Sequence, residues 1–191
     1  MNGGINMTKN KEIRVVNIVV STSLEHDVPL EKMASTLPNT EYNPEQFPGL
    51  VLRIKDPKTT ALVFSSGKVV CTGAKTMDEV SKSIGRIIKT LEKIDIKIKI
   101  TPEINVQNIV ASGNIGMDLN LNVLAMKLPN TEYEPEQFPG LVYKLGGKTG
   151  SDRATFLLFS NGKIVCTGTK SEDEVDNAVD KLIENLKKVK K

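Results

Sequence analysis

Two hydrophobic periods alternate along this chain, and the switches between them mark out its elements. Ile13–Ser21 is crowded with β-branched residues and predicts a strand. Leu30, Met33, Ala34 and Leu37 then recur at helical spacing, predicting a short amphipathic helix with Asp27 as its N-cap and Pro29 in its first turn. Pro38, Pro44, Pro48 and Gly49 forbid a continuing helix, so the stretch from Leu37 to Val51 reads as a turn-rich loop. Three strands are predicted next, about Leu50–Lys55, Thr59–Ser65 and Lys68–Gly73, with Ser66 and Gly67 as a tight turn. Thr76-x-x-Glu79 is a capping box opening a helix with Val80, Ile84, Ile87 and Leu91 on one face. Ile94–Ile100 alternates strictly and leads through Pro102 to Ile104.

From Ile104 the whole pattern starts again. Leu37-Pro-Asn-Thr-Glu-Tyr-Asn-Pro-Glu-Gln-Phe-Pro-Gly-Leu-Val51 returns at Leu128–Val142 with 14 of 15 positions identical, so the chain is an internal duplication. Phe64-Ser-Ser-Gly-Lys-Val-Val-Cys-Thr-Gly-Ala-Lys75 returns as Phe159-Ser-Asn-Gly-Lys-Ile-Val-Cys-Thr-Gly-Thr-Lys170. The first block repeats at an offset of 91 and the second at 95, so the second copy holds four extra residues, near Gly146–Gly150. Its short helix carries Leu121, Leu124, Ala125 and Leu128 after Asp118, and Ser171-x-x-Glu174 opens a helix with Val175, Ala178, Val179, Leu182 and Leu186. The reading is a flexible leader over residues 1–12, a first repeat over 13–102 and a second over 103–191. Each repeat runs strand, helix, loop, three strands, helix, which predicts an α+β fold with helices on one face of an antiparallel sheet.

Period-2 parity says what the other sheet face carries. Leu50, Leu52 and Ile54, Ala61 and Val63, Val69 and Cys71 share the face expected beneath the helices. The opposite face holds Asn17 and Val19, Val51 and Arg53, Leu62 and Phe64, Val70 and Thr72. In the second repeat it holds Asn108 and Val110, Val142 and Lys144, Leu157 and Phe159, Val165 and Thr167. The helices are too few to cover both faces. A bare surface of Val, Leu, Phe, Thr and Asn marks a binding site.

Composition changes this picture only a little. With 191 residues, 39% hydrophobic and 26% charged, the chain is of ordinary globular type, without the apolar run of a membrane span or signal peptide. Net charge +3 permits an anionic partner without requiring one. Cys71 and Cys166 occupy equivalent positions without metal-ligand spacing and read as buried reduced thiols. One histidine, His26, no paired-carboxylate site and no metal-spaced cluster leave nothing to support a hydrolase, and no cofactor is implied. Gly146-Gly-Lys-Thr149 lacks the spacing of a phosphate-binding loop.

On the duplicated Glu-Tyr-x-Pro-Glu-Gln-Phe-Pro-Gly and Phe-Ser-x-Gly-Lys-x-Val-x-Thr-Gly-x-Lys blocks and the Gln107–Val110 strand, the chain resembles the TATA-box-binding protein family from about Ile13 to Leu186. The resemblance implies a pseudo-twofold saddle: a curved sheet of about ten strands sits on DNA, with four long helices on its convex side. It implies a non-enzymatic transcription initiation factor that binds and bends A·T-rich promoter DNA through the minor groove. Phe47 with Phe64, and Phe138 with Phe159, match the family's wedges between base steps. Asn17 and Asn108 match its base-edge contacts. Val19, Leu62, Val70, Thr72, Val110, Leu157, Val165 and Thr167 would line the groove, and Arg53, Lys68, Lys75, Lys144, Lys163 and Lys170 would contact the DNA backbone. Transcription factor B would dock on the second loop through Glu134, Glu136 and Gln137, and RNA polymerase would join the assembly. The basic end Lys187–Lys191 departs from the acidic tail frequent in archaeal members, and Lys144 stands where arginine is frequent. An archaeal, cytoplasmic and nucleoid-associated protein is implied.

Blander readings stand beside these. A phenylalanine is more often core than wedge, a strand asparagine can satisfy a bulge, and exposed lysines can be a solvated rim. The functional alternative is a tandem protein-interaction module whose bare face binds a protein or an apolar ligand. An RNA reader is disfavoured by 4% aromatic content and no tryptophan.

Overall fold

The computed structural model describes residues 12–189, so residues 1–11 of the leader and the last two lysines of the basic tail lie outside the described residues, while Glu12, counted with the leader, opens the first strand. Repeat one forms β1 (Glu12–Ser23), α1 (Leu30–Thr36), β2 (Thr40–Glu41), β3 (Leu50–Ile54), β4 (Thr59–Val63), β5 (Lys68–Ala74) and α2 (Met77–Glu92). Repeat two forms β6 (Asn105–Asn114), α3 (Leu121–Lys127), β7 (Thr131–Glu132), β8 (Leu141–Lys144), β9 (Thr155–Leu158), β10 (Lys163–Thr169) and α4 (Glu172–Val189). Strand order is β2-β3-β4-β5-β1-β6-β10-β9-β8-β7, with antiparallel ladders between sequence neighbours. These are the ten strands and four helices expected, although α1 and α3 span only 7 residues each rather than forming long helices. By contacts the chain divides into one unit of Asn17–Gln107 and another of residues through Val16 with those from Asn108 onward.

Inside each unit the two sheet faces separate as parity requires. Leu50, Leu52, Ala61, Val63, Val69 and Cys71 are buried in one, and Leu141, Tyr143, Phe156, Leu158, Ile164 and Cys166 in the other. Val80, Ile84, Ile87 and Leu91 of α2 bury the expected stripe, as do Val175, Ala178, Val179, Leu182 and Leu186 of α4. Ile54, expected in the core, is only half-buried at the end of β3. Both long helices open on their capping residues: Thr76 Oγ1 accepts from Glu79 N at 3.1 Å, and Ser171 Oγ from Glu174 N at 3.1 Å. Cys71 and Cys166 are free buried thiols, and burial raises the pKa of both, that of Cys166 to about 12. They stay protonated at neutral pH, which suits packing rather than ligation or nucleophilic chemistry.

Three local expectations are corrected. The cap of α1 is Pro29 rather than Asp27, and that of α3 is Asn120. Val28 N donates to Ser65 O, and Leu119 N to Ser160 O, each at 2.8 Å. These long-range bonds hold both approach segments extended for two more residues. In α3 the amide of Asn120 then caps Val123 N at 3.1 Å. Ile94–Ile100, despite its alternation, forms no strand. Ile94 N and Ile96 N donate back to Leu91 O, and Asp95 takes a positive φ of 66°, so the segment terminates α2 while Ile94 and Ile96 are buried. Finally, the loops between the first helix and third strand of each repeat contain the two-residue strands β2 and β7.

Candidate nucleic-acid interface

In the Asn17–Gln107 unit, the face away from the helices is half-buried at Val19, Val51, Leu62, Phe64, Val70 and Thr72. Strand register aligns these residues in rows: Val51 opposite Leu62, Leu62 opposite Val70, and Val70 opposite Ser21. A second row joins Arg53, Thr60 and Thr72. In the other unit the corresponding rows are Val142, Leu157, Val165 and Ser112, then Lys144, Thr155 and Thr167. Val110 is also half-buried there. Branched aliphatics flanked by small hydroxyls give a smooth surface, with Glu41 opposite Val51 and Glu132 opposite Val142 at its outer edges, each carboxylate paired with a cation. Such a surface suits an electron-rich apolar-walled groove. Ser21, Ser112, Val51, Val142, Thr60 and Thr155 belong to these rows although the resemblance singled out none of them. Period-2 parity already places Val51 and Val142 there, and carried through to Ser21, Ser112, Thr60 and Thr155 it would have found those as well.

The loop before β3 makes one helical turn, in which Gln46 N and Phe47 N donate to Asn43 O at 3.1 and 3.0 Å. Gln137 N and Phe138 N donate to Glu134 O, each at 3.0 Å. These turns carry Phe47 and Phe138 outward, 41% and 43% exposed, the most exposed aromatic rings described. Phe47 meets Phe64 edge-on at 5.8 Å between centroids, and Phe138 meets Phe159 at 5.9 Å. Such T-shaped pairs are favoured by the ring quadrupoles. Each ring pair sits over a glycine, Gly49 or Gly140, that is itself buried. Glu134, Glu136 and Gln137 are exposed on the same turn, as are Glu45 and Gln46 in the first repeat.

Asn17 and Asn108 hold bulges. Register shifts between Ile18 and Val20 on β1, and between Cys166 and Thr169 on β10. There Gly73, at φ 101°, and Gly168, at φ 89°, turn their N–H groups inward. Gly73 N donates to Asn17 Oδ1 at 2.7 Å and Gly168 N to Asn108 Oδ1 at 2.8 Å. A backbone N–H can only donate, so Oδ1 is fixed toward it and Nδ2 faces the threonine. Nδ2 donates to Thr72 Oγ1 at 3.0 Å and to Thr167 Oγ1 at 2.9 Å. One hydrogen of each amide remains for another acceptor. The bulge-satisfying reading of these asparagines is therefore correct, and it also orients a donor.

Cations rim each face. Lys68, Lys75, Lys163 and Lys170 are exposed. Arg53 pairs with Glu41 and Lys144 with Glu132, both at 3.1 Å and at solvent-exposed edges, where such pairs contribute little and exchange partners readily. The longer β8–β9 loop of repeat two folds into a short 3-10 turn, Gly150–Arg153, tied to α4 by the Asp152–Lys181 ion pair. Among the described residues no group of His, Cys, Asp and Glu could hold a metal ion, and no helix is long and apolar enough to cross a membrane.

The sequence profile described as transcription factor TFIID, or TATA-binding protein, matches residues 12–94 and again 103–189. A protein of Thermococcus kodakarensis named TATA-box-binding protein is 49% identical over 179 residues, covering 94% of this chain and 92% of that one. One of the same name from Picrophilus torridus is 50% identical over 185 residues, covering 96% and 98%. The solved structure titled Methanococcus jannaschii TBP superposes with a TM-score of 0.85 at 46% identity, covering 93% of this chain and 99% of that one.

Proposed function

This chain belongs to the TATA-binding protein family of transcription factors, and from that premise we propose that it binds A·T-rich promoter DNA in the minor groove and bends it. The observation that carries the proposal is the half-buried sheet face of each unit, bordered by a phenylalanine pair of which one ring, Phe47 or Phe138, is exposed. At A·T pairs the minor groove offers only acceptors, adenine N3 and thymine O2, whereas G·C adds the N2 amino donor. The oriented amide hydrogens of Asn17 and Asn108 suit the former, and the aliphatic side chains of the rows offer no acceptor to the latter. Phe47 with Phe64, and Phe138 with Phe159, enter base steps. The unstacking costs a few kcal/mol and is offset by the additional sheet surface a bent duplex covers. Lys68, Lys75, Lys163 and Lys170, with Arg53 and Lys144 once released from their exposed carboxylate partners, neutralise phosphates and supply the salt-dependent part of affinity. Val19, Leu62, Val70 and Thr72, with Val110, Leu157, Val165 and Thr167, form the groove-facing surface. A mobility shift comparing A·T-rich with G·C-rich duplex, together with a bend measurement, tests this. Equal binding to both without bending would instead favour the protein-interaction module.

Readout and neutralisation separate by mutation. Asn17→Ala or Asn108→Ala is expected to relax discrimination against G·C near the middle of the site by about 1–3 kcal/mol. Asn17→Asp should be worse than Asn17→Ala, because it presents an acceptor to acceptors. Lys68→Ala and Lys163→Ala should weaken all sequences alike and flatten the dependence on salt. Binding isotherms across salt concentrations distinguish the two sets. Sequence preference moved by the lysines and not by the asparagines would reverse the assignment.

Two nearly identical faces bind a nearly symmetric site in either direction with similar free energy, so polarity must come from a partner. Transcription factor B docking on the second loop through Glu134, Glu136 and Gln137, followed by RNA polymerase, supplies it. Within the duplicated 15-residue stretch only Glu134 differs, where repeat one has Asn43. Glu134→Arg is expected to leave DNA binding unchanged and weaken the ternary complex, because like charges then meet a basic partner. Ternary assembly on a labelled duplex reads this directly, and wild-type assembly by the variant would move polarity to another feature.

A further inference from the structure

We propose that Gly49 and Gly140 are positioning residues whose missing β-carbons set the depth and angle of the phenylalanine wedges. The proposal rests on the minor-groove reading above. A Cβ built on Gly49 would lie 2.7 Å from Phe47 Cε1 and 3.1 Å from Phe64 Cε1. On Gly140 it would lie 2.6 Å from Phe138 Cε1 and 3.1 Å from Phe159 Cε1. In both repeats the three nearest atoms all belong to the two rings of the pair. The same arrangement occurs in each unit.

This use of glycine differs from that at the hairpin turns. Gly67 and Gly162 have φ of 86° and 81°, and a Cβ there would meet backbone oxygens, of His26 at 2.3 Å and Met117 at 2.4 Å. Those glycines serve the turn itself. Gly49 and Gly140 are not among the positive-φ glycines, so their backbone accepts alanine without conformational strain. What alanine would displace is a ring. Carbon atoms at ordinary contact stand about 3.5–4.0 Å apart, so Phe47 or Phe138 would have to retreat by roughly 1 Å. Both rings are more than two-fifths exposed and have solvent to move into. A shift of that size is large against the ~3.4 Å rise of a base step, and it disturbs the T-shaped partner as well. The methyl group therefore misaims the wedge and spares the fold.

The test uses the full chain with Gly49→Ala and Gly140→Ala, a fluorescent A·T-rich duplex reporting its end-to-end bend, and 2-aminopurine placed at either end step. Each variant is expected to bind roughly tenfold more weakly, as loss of one anchoring aromatic contact does. The 2-aminopurine signal should fall at one end only, and at opposite ends for the two variants. Thermal midpoints should change by less than about 4 °C. In a Phe47→Ala background, Gly49→Ala should have almost no further effect, because the ring it would displace is gone. Wild-type bending by Gly49→Ala, additive losses in the double variant, or a larger drop in melting temperature overturns the positioning role. Unchanged bending by Phe47→Ala and Phe64→Ala would overturn the wedge reading itself, and the positioning role with it.

Discussion

Replacing Phe138 and Phe159 together by alanine is expected to weaken binding to A·T-rich duplex roughly a hundredfold and to remove the bend at that end of the site, with the fold intact. Buried aromatic anchors commonly contribute 2 kcal/mol or more each, and the two rings act as a pair. Their contribution to the folded chain alone is small. Phe138 is 43% exposed, and Phe159 is half-buried on the face that no helix covers. Truncating such side chains creates no closed cavity, so the melting temperature should barely move. Fluorescence transfer across the duplex reports the bend, and calorimetry reports the melting. A severe loss of stability would mean the rings are core, and unchanged bending would remove them from the interface.

The opposite result is expected three residues away. Phe156→Ala should cost about 3–5 kcal/mol of stability, the usual range for a large aromatic removed from a packed core. Phe156 is 0% exposed and lies in register between Tyr143 and Cys166, both also buried. Tyr143 OH in turn accepts from Asn185 Nδ2 of α4 at 2.9 Å, so the rings cannot collapse freely into a cavity left beside them. The counterpart in repeat one is Ala61, between Leu52 and Cys71, where no comparable loss is available. Urea unfolding would read the difference, and the protein that remains folded should bend DNA as wild type does. If Phe156→Ala melted like wild type while losing DNA, the parity of β9 would be inverted.

These two phenylalanines show what the sequence by itself determined. A strand reverses its side chains at every step, so one buried residue fixes the faces of its neighbours as far as the strand continues. The duplication repeated that information: Leu62, Phe64, Val70 and Thr72 share a face in repeat one, and Leu157, Phe159, Val165 and Thr167 share it in repeat two. The helix stripes and capping boxes were legible for a similar reason, being local patterns over three or four residues. Membership of the family was legible in the two duplicated blocks.

Tertiary structure decided whatever depends on a partner distant along the chain. Asp27 has the composition of a cap, but a backbone bond from Val28 to Ser65 keeps it out of α1. Ile94–Ile100 has the alternation of a strand, but its first N–H groups are used on the carbonyls of Leu91 and Glu92 at the end of α2. Asn17 is 56 residues from the Gly73 N–H that fixes its amide, and only the bulge in β5, opposite Ile18–Val20 of β1, brings the two together. Gly49 looks like part of a turn until two rings, one from its own loop and one beyond β4, are seen closing over it. Local spacing encodes which face a residue takes, because the backbone period is fixed. It does not encode which distant donor or ring arrives at that face, because that follows from strand pairing and packing across the whole unit.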